Sequence, residues 1–483
     1  MIKLTVNNRY VTIEGANSKA MRQLSDLTSY SVAGHVYAPS FQNKRWDGKI
    51  HLMKFSRKKG YFFPIGLLID VYTWLTENDH KAKVIDKRVI PTAKIQFEWN
   101  PEIKMRPYQN EAVEAVTGKA LPGRGILVMP IRSGKTYTAA RIIHQLGVKT
   151  LIIVTSQLLL YQTRDAIQKV LLRGDDIGVI GDGKWQESAI TVATVHTLQK
   201  ARGTRDKKGN ILVPPNPKYK AMLAAYDMVI FDEVHHTKAP EWRGVMEDFP
   251  APYKLGLSAT VYFDEESEMD TGVIWLKAVC GSVRYTITPS TLIEAGYLVK
   301  PSVTMYRIKK PESIATYRWC KELQEKAIYK NPYRNNKIVK LACKYARKGM
   351  RVIIISNRLN QVEDICQRLD KTDFSYAPIV GSIKAARRRE LIEEFSSGSI
   401  PILVGTVIGE GIDIPEIECV INAEGGKDLK ATVQRMRNLT PNKGKKKAIF
   451  IDFIDYTNDY FHQHSMARLK QYRTEDAFDV SIV

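Results

Sequence analysis

Between residues 105 and 455 the chain returns repeatedly to short, unbroken apolar runs. They fall at 126–129, 151–154, 190–193, 228–231 and 255–257, and again at 352–355, 402–404, 419–421 and 448–451. Helical patterns lie between most of them. A strand with one wet face alternates apolar and polar residues. A strand that is apolar throughout needs cover on both faces, which a parallel sheet with flanking helices supplies. The pattern predicts an α/β fold with two tandem parallel-sheet lobes, 105–298 and 299–456, which share no obvious sequence repeat.

The flanks read differently. In 1–95, Ile2, Leu4 and Val6 alternate, Asn7-Asn8-Arg9 supply a turn, and Val11 and Ile13 resume the alternation. A short helix capped near Asn17 or Ser18 comes next, with Met21, Leu24 and Leu27 on one face. Further strands are expected around 49–54 and 61–64, making a small α+β domain. Residues 98–105, with Pro101, read as a linker. The 457–483 tail reads as helical to Arg468 or beyond. A chain of 483 residues suits about three domains.

Lys plus Arg number 73 against 51 Asp plus Glu, a net charge of +22 that points to a polyanionic partner. The excess is clustered. Residues 1–60 hold 11 basic and 3 acidic residues, and the Gly- and Pro-containing insertion 200–220 holds 7 and 1. Clustered charge suits phosphate contacts, which release counterions. Lys44, Arg45, Lys49, Arg57, Lys58 and Lys59 are the N-terminal candidates, and Arg202, Arg205, Lys207 and Lys208 those of the insertion, expected to be a long loop or hairpin. The five cysteines form no C-x-x-C pair, which argues against zinc and disulfide frameworks. No uncharged apolar run approaches membrane-spanning length. A cytoplasmic protein with no membrane partner is expected, monomeric, and in a host cell's cytoplasm if viral.

M-P-I-R-S-G-K-T at 129–136 follows an apolar strand and precedes an apolar helix pattern. In that context Arg132, Ser133, Gly134, Lys135 and Thr136 form a phosphate loop. Backbone N–H groups at a helix N-terminus face phosphates, Lys135 adds a point charge, and the Thr136 hydroxyl ligates Mg²⁺. The first glycine of the usual pattern would fall on Met129. In D-M-V-I-F-D-E-V-H-H, Asp232 and Glu233 end an apolar strand, where open α/β sheets bind ligands. Asp232 suits the metal, and Glu233 an attacking water. The cofactors implied are ATP and Mg²⁺.

In order, these motifs resemble those of superfamily 2 helicases across about 105–455. R-P-Y-Q at 106–109 is similar to the adenine-reading element, with Arg106 and Gln109. I-I-V-T-S-Q at 152–157 and V-A-T-V-H-T-L at 192–198 resemble strand-contacting elements, implicating Ser156 and Thr194. D-E-V-H at 232–235 matches the D-E-x-H box, and S-A-T at 258–260 the coupling element, which implies roles for His235, Ser258 and Thr260. V-I-I-I-S-N-R at 352–358 and V-G-T-V-I-G-E-G-I-D-I-P at 404–415 fit later motifs. They imply nucleic-acid contacts at Asn357, Arg358 and Thr406, and nucleotide contacts at Gly411 and Asp413. The resemblance implies two RecA-like lobes closing on ATP. The last motif, normally Q-R-x-G-R-x-x-R, departs: Gln434 begins Q-R-M-R-N-L-T-P, with Asn438 and Pro441 where arginines are expected. Arg437 is favoured as the cation for the γ-phosphate, with Arg435 as runner-up.

F-Q-N-K-R-W-D-G-K-I-H-L at 41–52, followed by P-I-G-L-L at 64–68, resembles the N-terminal domain of UvsW-type phage helicases. That resemblance implies a DNA helicase or translocase acting on branched, forked or single-stranded DNA in replication, recombination or repair, and a bacteriophage source. A duplex translocase subunit, an RNA helicase, and a non-catalytic DNA-binding scaffold with a degenerate ATPase remain the competing readings.

Overall fold

The computed structural model describes every residue except 33, 119–122, 131, 173–175, 207–209, 235–239, 260–270, 309–320, 407–413, 415, 427–447 and 475. The chain divides into two compact units, 1–130 with 134–287, and 131–133 with 288–483.

The first unit opens with a five-stranded sheet in the order Lys54–Ser56, Gly60–Pro64, Tyr10–Glu14, Ile2–Val6 and Ala82–Asp86. Only the last pair is parallel. The alternation at Ile2, Leu4 and Val6 places all three in the core. The helix Ser18–Leu27 starts where its cap is expected: the Asn17 side chain accepts from the Ala20 N–H at 2.8 Å.

This sheet shares its core with a distant helix of the same unit. The core extends onto Ile274 and Ala278 of the helix Thr271–Cys280. Gly66, in P-I-G-L-L, lies against that helix, and a Cβ there would fall 1.9 Å from the Lys277 carbonyl oxygen. Only glycine allows this approach. The Trp275 Nε1 donates to the Tyr30 hydroxyl at 2.9 Å, and Lys277 stands 3.6 Å from Asp70. The W-D-G string also builds structure: Trp46 Nε1 donates to the Lys49 carbonyl, and Asp47 caps the Lys49 N–H and pairs with His51 at 2.6 Å.

The rest of the first unit is an eight-stranded sheet. Its order is Lys184–Gln186, Ile177–Gly181, Ile190–Thr194, Thr150–Val154, Met228–Phe231, Tyr253–Ser258, Arg124–Val128 and Val283–Thr286. All pairs are parallel but the first. The five apolar runs of this lobe's sequence are five of its strands, and each is buried along its length. The strands 177–181, 184–186 and 283–286 are not anticipated by the sequence pattern.

Among the described residues of this unit, Arg124 and Lys254 are buried cations. Arg124 donates to the carbonyls of Val279 and Asn8 at 3.1 and 3.2 Å. Lys254 donates to the Met246 carbonyl at 2.7 Å. Burial, and then the charge of Arg124, pull the Lys254 ammonium from its ordinary 10.5 down to about 7. Between those values the unfolded chain binds more protons than the folded one. Stability therefore rises with pH from about 7 towards 10, at most about 1.4 kcal/mol per pH unit. The unit is expected to melt higher at pH 9 than at pH 7 in calorimetry, with a smaller rise in Lys254→Met. Identical pH slopes in the two proteins would refute this account.

The second unit is a seven-stranded, all-parallel sheet in the order Tyr376–Ile379, Ile402–Gly405, Val352–Ile355, Cys419–Asn422, Ala448–Asp455, Pro301–Ile308 and Asp479–Ile482. The sequence pattern sets this lobe's start at 299. The structure places 288–298 with it, because the first unit's last strand ends at Thr286 and Thr288 then caps the helix Pro289–Glu294. The tail holds the expected helix, Asp459–Arg473, and then a strand, Asp479–Ile482, that pairs with Pro301–Ile308.

Candidate active site

In the first unit's sheet, parallel pairing brings the carboxyl ends of seven strands to one edge. Val128 ends beside Ser258, and Ser258 beside the strand that runs into Asp232. The Met129 N–H donates to the Ser258 carbonyl at 2.9 Å, and the Asp232 N–H to the Ile153 carbonyl at 2.9 Å. Residues far apart in the chain are thereby fixed side by side.

The phosphate-loop strand Arg124–Val128 gives way to the helix Lys135–Leu146, whose N-cap Gly134 has φ 81°. A Cβ at Gly134 would lie 2.4 Å from the Gln109 Nε2, so the glycine is required both by its backbone and by its neighbour. Gln109 is placed by its own helix, Pro107–Thr117, where its Oε1 accepts from the Arg106 N–H at 2.9 Å. The Arg106 guanidinium donates to the Tyr108 hydroxyl at 2.9 Å. Gln109, one of the two residues expected at the adenine, thus lies against Gly134 of the expected phosphate loop.

Lys135 Nζ donates to the Met129 carbonyl at 3.3 Å and stands 3.8 Å from the Glu233 Oε1. Thr136 follows on the same helix turn, half-buried. Asp232 Oδ1 accepts from the Glu233 N–H at 3.1 Å. Burial first, and the Glu233 charge second, push the Asp232 carboxyl up to about 6, against the pull of Lys135. A divalent cation would suit this donor set: two neighbouring carboxylates that repel each other, beside Lys135 at the start of a helix. Arg132 at φ 69° and Glu233 at φ 51° are left-handed non-glycine residues. Such conformations cost on the order of 1–3 kcal/mol and cluster where function holds them. Behind the acidic pair lies a small cavity lined by Ile153, Val154, Val195, Phe231, Trp242 and Met246.

The expected nucleic-acid residues divide. Lys44, Arg45, Arg57, Lys58 and Lys59 are exposed, while Lys49 is half-buried and pairs with Asp26 at 3.3 Å. Around the 57–59 turn sit two exposed rings, Phe55 and Tyr61, 4.9 Å apart. The insertion is a hairpin, Thr204–Arg205 with Ile211–Val213, between the helices Val195–Arg202 and Pro217–Leu223. Arg202 is internally committed: its Nε meets Asp248 Oδ2 at 2.7 Å, and the Tyr219 hydroxyl reaches the same oxygen at 3.0 Å. Its charge is paired at the hairpin's base, although the side chain stays 37% exposed. Ser156 caps the helix Gln157–Val170 through the Leu159 N–H, and the buried Thr194 hydroxyl pairs with Thr197 at 2.8 Å. In the second unit Asn357 and Arg358 are exposed and Thr406 is half-buried, just past the strand Ile402–Gly405. Lys207, Lys208, His235, Thr260, Gly411, Asp413, Gln434, Arg435 and Arg437 lie outside the described residues.

Three family descriptions match the chain: "DNA helicase UvsW, N-terminal" over 2–86, "Type III restriction enzyme, res subunit" over 102–263, and "Helicase conserved C-terminal domain" over 334–437. Among curated proteins, a "Putative DNA 3'-5' helicase Rad25" of Haloarcula marismortui is 26% identical over 77% of this chain and 56% of its own length. A "DNA 3'-5' translocase XPB2" of Sulfurisphaera tokodaii is 27% identical over 81% and 90%. The chain spans 56–64% of the length of three of the relatives it matches. Among solved structures, S. cerevisiae Dbp5 bound to RNA and ADP BeF3 aligns with TM-score 0.56 at 15% identity, covering 79% of this chain and 90% of that one. That likeness is one of fold.

Proposed function

For a chain that belongs to the superfamily 2 helicases and carries a UvsW-type N-terminal domain, we propose an ATP-dependent DNA helicase or translocase that remodels forked or branched DNA. The observation that carries this is Lys135, held between the phosphate-loop carbonyl of Met129 and the Glu233 carboxylate at the edge of a parallel sheet. The N–H groups at the start of the helix Lys135–Leu146 cradle the β- and γ-phosphates. Lys135 neutralises charge there. Arg106 and Gln109 read the adenine. Thr136 and Asp232 hold Mg²⁺, which when bound offsets phosphate charge. Glu233 orients the attacking water and accepts its proton. Arg437, or failing it Arg435, supplies a cation to the γ-phosphate.

DNA is favoured over RNA by the names of the relatives, which also favour 3′ to 5′ travel. The exposed Phe55 and Tyr61 rings among Lys54, Arg57, Lys58 and Lys59 give the N-terminal domain a surface that combines base stacking with phosphate attraction. Among the described residues no helix is long and apolar enough to cross a membrane. The deciding experiment measures ATP turnover with and without forked DNA, and strand displacement on matched DNA and RNA forks. Stimulation by DNA and displacement of the DNA fork are expected. Turnover indifferent to DNA would leave the scaffold reading standing.

The hairpin gives a narrower expectation. Ile211, Leu212 and Val213 are 54%, 65% and 52% exposed, three consecutive aliphatic side chains in solvent within a strongly basic segment. Such side chains suit insertion between bases at an opening duplex. Replacing 204–213 with a Gly/Ser turn, and keeping the Arg202–Asp248–Tyr219 base, is expected to cut fork displacement about tenfold or more while DNA-stimulated ATPase stays within about twofold, since unstacking costs a few kcal/mol per base step. Unchanged displacement would show the hairpin to be a solvated loop.

A further inference from the structure

Among the described residues of the second unit, the exposed large apolar side chains are Tyr333, Leu359, Tyr456, Tyr460, Met466 and Val483. Single exposed apolar residues are ordinary, but a cluster is not. The first four gather at one edge of the sheet. The strands Val352–Ile355 and Ala448–Asp455 lie on either side of Cys419–Asn422, and all three are parallel. Arg358 with Leu359, and Tyr456 with Tyr460, therefore follow strands that end at the same carboxyl edge, two strand spacings or about 10 Å apart. Tyr333 is brought there by its neighbour: on the helix Pro332–Ala346, Arg334 donates from Nε to Asp455 Oδ1 at 2.9 Å.

Two of these rings have a rigid mount. The Tyr456 N–H donates to the Ile308 carbonyl at 3.1 Å. The helix Asp459–Arg473 begins three residues later, capped by Asn458, whose side chain accepts from the Tyr460 N–H at 2.8 Å. Phe461 buries that helix against Ala327, Ile328 and Tyr329, and Arg468 ties it to the sheet, donating from Nε and Nη2 to the two oxygens of Asp452 at 2.8 and 3.1 Å. Imidazoles of the same helix back the tyrosines. His462 stacks on Tyr456 with centroids 4.6 Å apart at 28°, and His464 lies 4.1 Å from Tyr460 at 57°. Tyr456 is still 43% exposed and Tyr460 39%. Positive charge adjoins them. Arg358 is exposed, and its guanidinium lies 5.3 Å from the centre of the Tyr329 ring, which packs in one cluster with Phe461. Lys330, the next residue after that ring, is exposed as well.

We propose that Tyr456 and Tyr460 form a base-stacking platform for single-stranded DNA, with Arg358 and Lys330 serving its phosphates. Neither tyrosine belongs to the motifs at 352–358 and 404–415. The proposal rests on the DNA-helicase reading and adds a site to it. Aliphatic side chains on such a patch would suit a protein partner. Ring-backed tyrosines beside cations suit bases, since every base offers a π face and stacks with little regard to sequence. The rings are held before a strand arrives, so little ordering is left to binding. Bases in a duplex are already stacked on one another, and the platform therefore distinguishes a separated strand from a paired one. It gives the second unit a grip on a strand that has lost its partner.

The test uses the full-length chain and its Tyr456→Ala, Tyr460→Ala, Tyr456→Phe and Tyr460→Phe variants. Anisotropy titrations use a mixed-sequence single strand, the same strand made abasic, and a blunt duplex. Each alanine variant is expected to bind the single strand at least about fivefold more weakly, the scale of one lost stack. It should bind the duplex within about twofold of the parent, and lose the same factor from the parent's preference for the strand over its abasic form. The phenylalanine variants keep the ring and should bind like the parent. In the parent, a strand carrying 5-iododeoxyuridine should photocrosslink within 456–464, which decides the matter if an alanine variant fails to fold. Unchanged single-strand affinity in either alanine variant overturns the proposal. So does an equal loss on duplex or on the abasic strand, a loss as large in the phenylalanine variants, or crosslinks confined to other segments. A lowered melting temperature with single-strand affinity unchanged would show the rings to be covered by protein, and overturns it equally. A parent that binds none of the three DNAs is a separate failure, that of the helicase reading itself.

Discussion

Lys135→Ala and Glu233→Gln are each expected to lower DNA-stimulated ATP turnover by at least about a hundredfold while leaving DNA affinity within a few-fold of the parent. The two substitutions remove different contributions. On the proposed reading Lys135 is the cation at the phosphate end of its helix, placed by the Gly134 turn and by the Met129 carbonyl. Without it the developing γ-phosphate charge loses a partner that water replaces poorly. Glu233→Gln keeps the side chain's size but removes the base. It also removes the repulsion that helps hold the Asp232 carboxyl up near 6, so the variant should bind MgATP at least as well as the parent. The pattern sought is therefore retained nucleotide binding without turnover for Glu233→Gln, and weakened binding with lost turnover for Lys135→Ala. Steady-state ATPase and equilibrium nucleotide titration measure the two. DNA binding survives because the exposed basic residues of the N-terminal domain lie on other elements. Turnover within a few-fold of the parent in either variant would remove the site assignment.

The second large effect concerns the N-terminal domain. Deleting 1–95 is expected to destabilise the first lobe and not merely to remove a DNA-binding surface. The deletion uncovers Ile274 and Ala278, takes Tyr30 from Trp275, and removes the Asn8 carbonyl from the buried Arg124 guanidinium. Exposed apolar area and unpaired buried donors together amount to on the order of 5 kcal/mol, comparable with the whole stability of many domains. The remaining chain should melt about 10 °C lower or accumulate as insoluble protein, which calorimetry and fractionation report. A truncated chain melting like the parent would contradict the shared core. The DNA role of this domain is better read from substitutions that spare the fold. Replacing Lys44, Arg45, Arg57 and Lys58 with Gln should leave melting unchanged. It should also weaken binding to forked DNA and flatten its salt dependence, by about one unit of log–log slope for each phosphate no longer neutralised. An unchanged salt slope in anisotropy titrations would place the DNA-binding surface elsewhere.

Much of this was legible in the chain itself because the signals are local. Continuous apolar runs identified nine strands, since burial on both faces leaves no polar position to alternate. The Asn17 cap and the phosphate loop are read from residues a few positions apart. Strands with mixed composition escaped: in Pro301–Ile308 buried and half-exposed residues alternate, and the tail strand Asp479–Ile482 is half-exposed. Arg468 carried a faint signal. It shares a helix face with Phe461, Ser465 and Tyr472, all buried, so a charge stood in an apolar stripe.

The sequence by itself determined the two-lobe α/β class and the order of the motifs, and it named the candidate phosphate-loop and carboxylate residues, because each depends on neighbours within a turn or a strand. Only the tertiary structure decided which distant groups meet. It set Gln109 against Gly134, sealed Gly66 onto the Lys277 carbonyl, paired Arg202 with Asp248, and joined Arg334 and Arg468 to Asp455 and Asp452. Those pairings depend on how the chain closes over long separations. A charged residue's own sequence does not record whether its partner will be water, DNA or a buried carboxylate, because that choice is made by the packing around it.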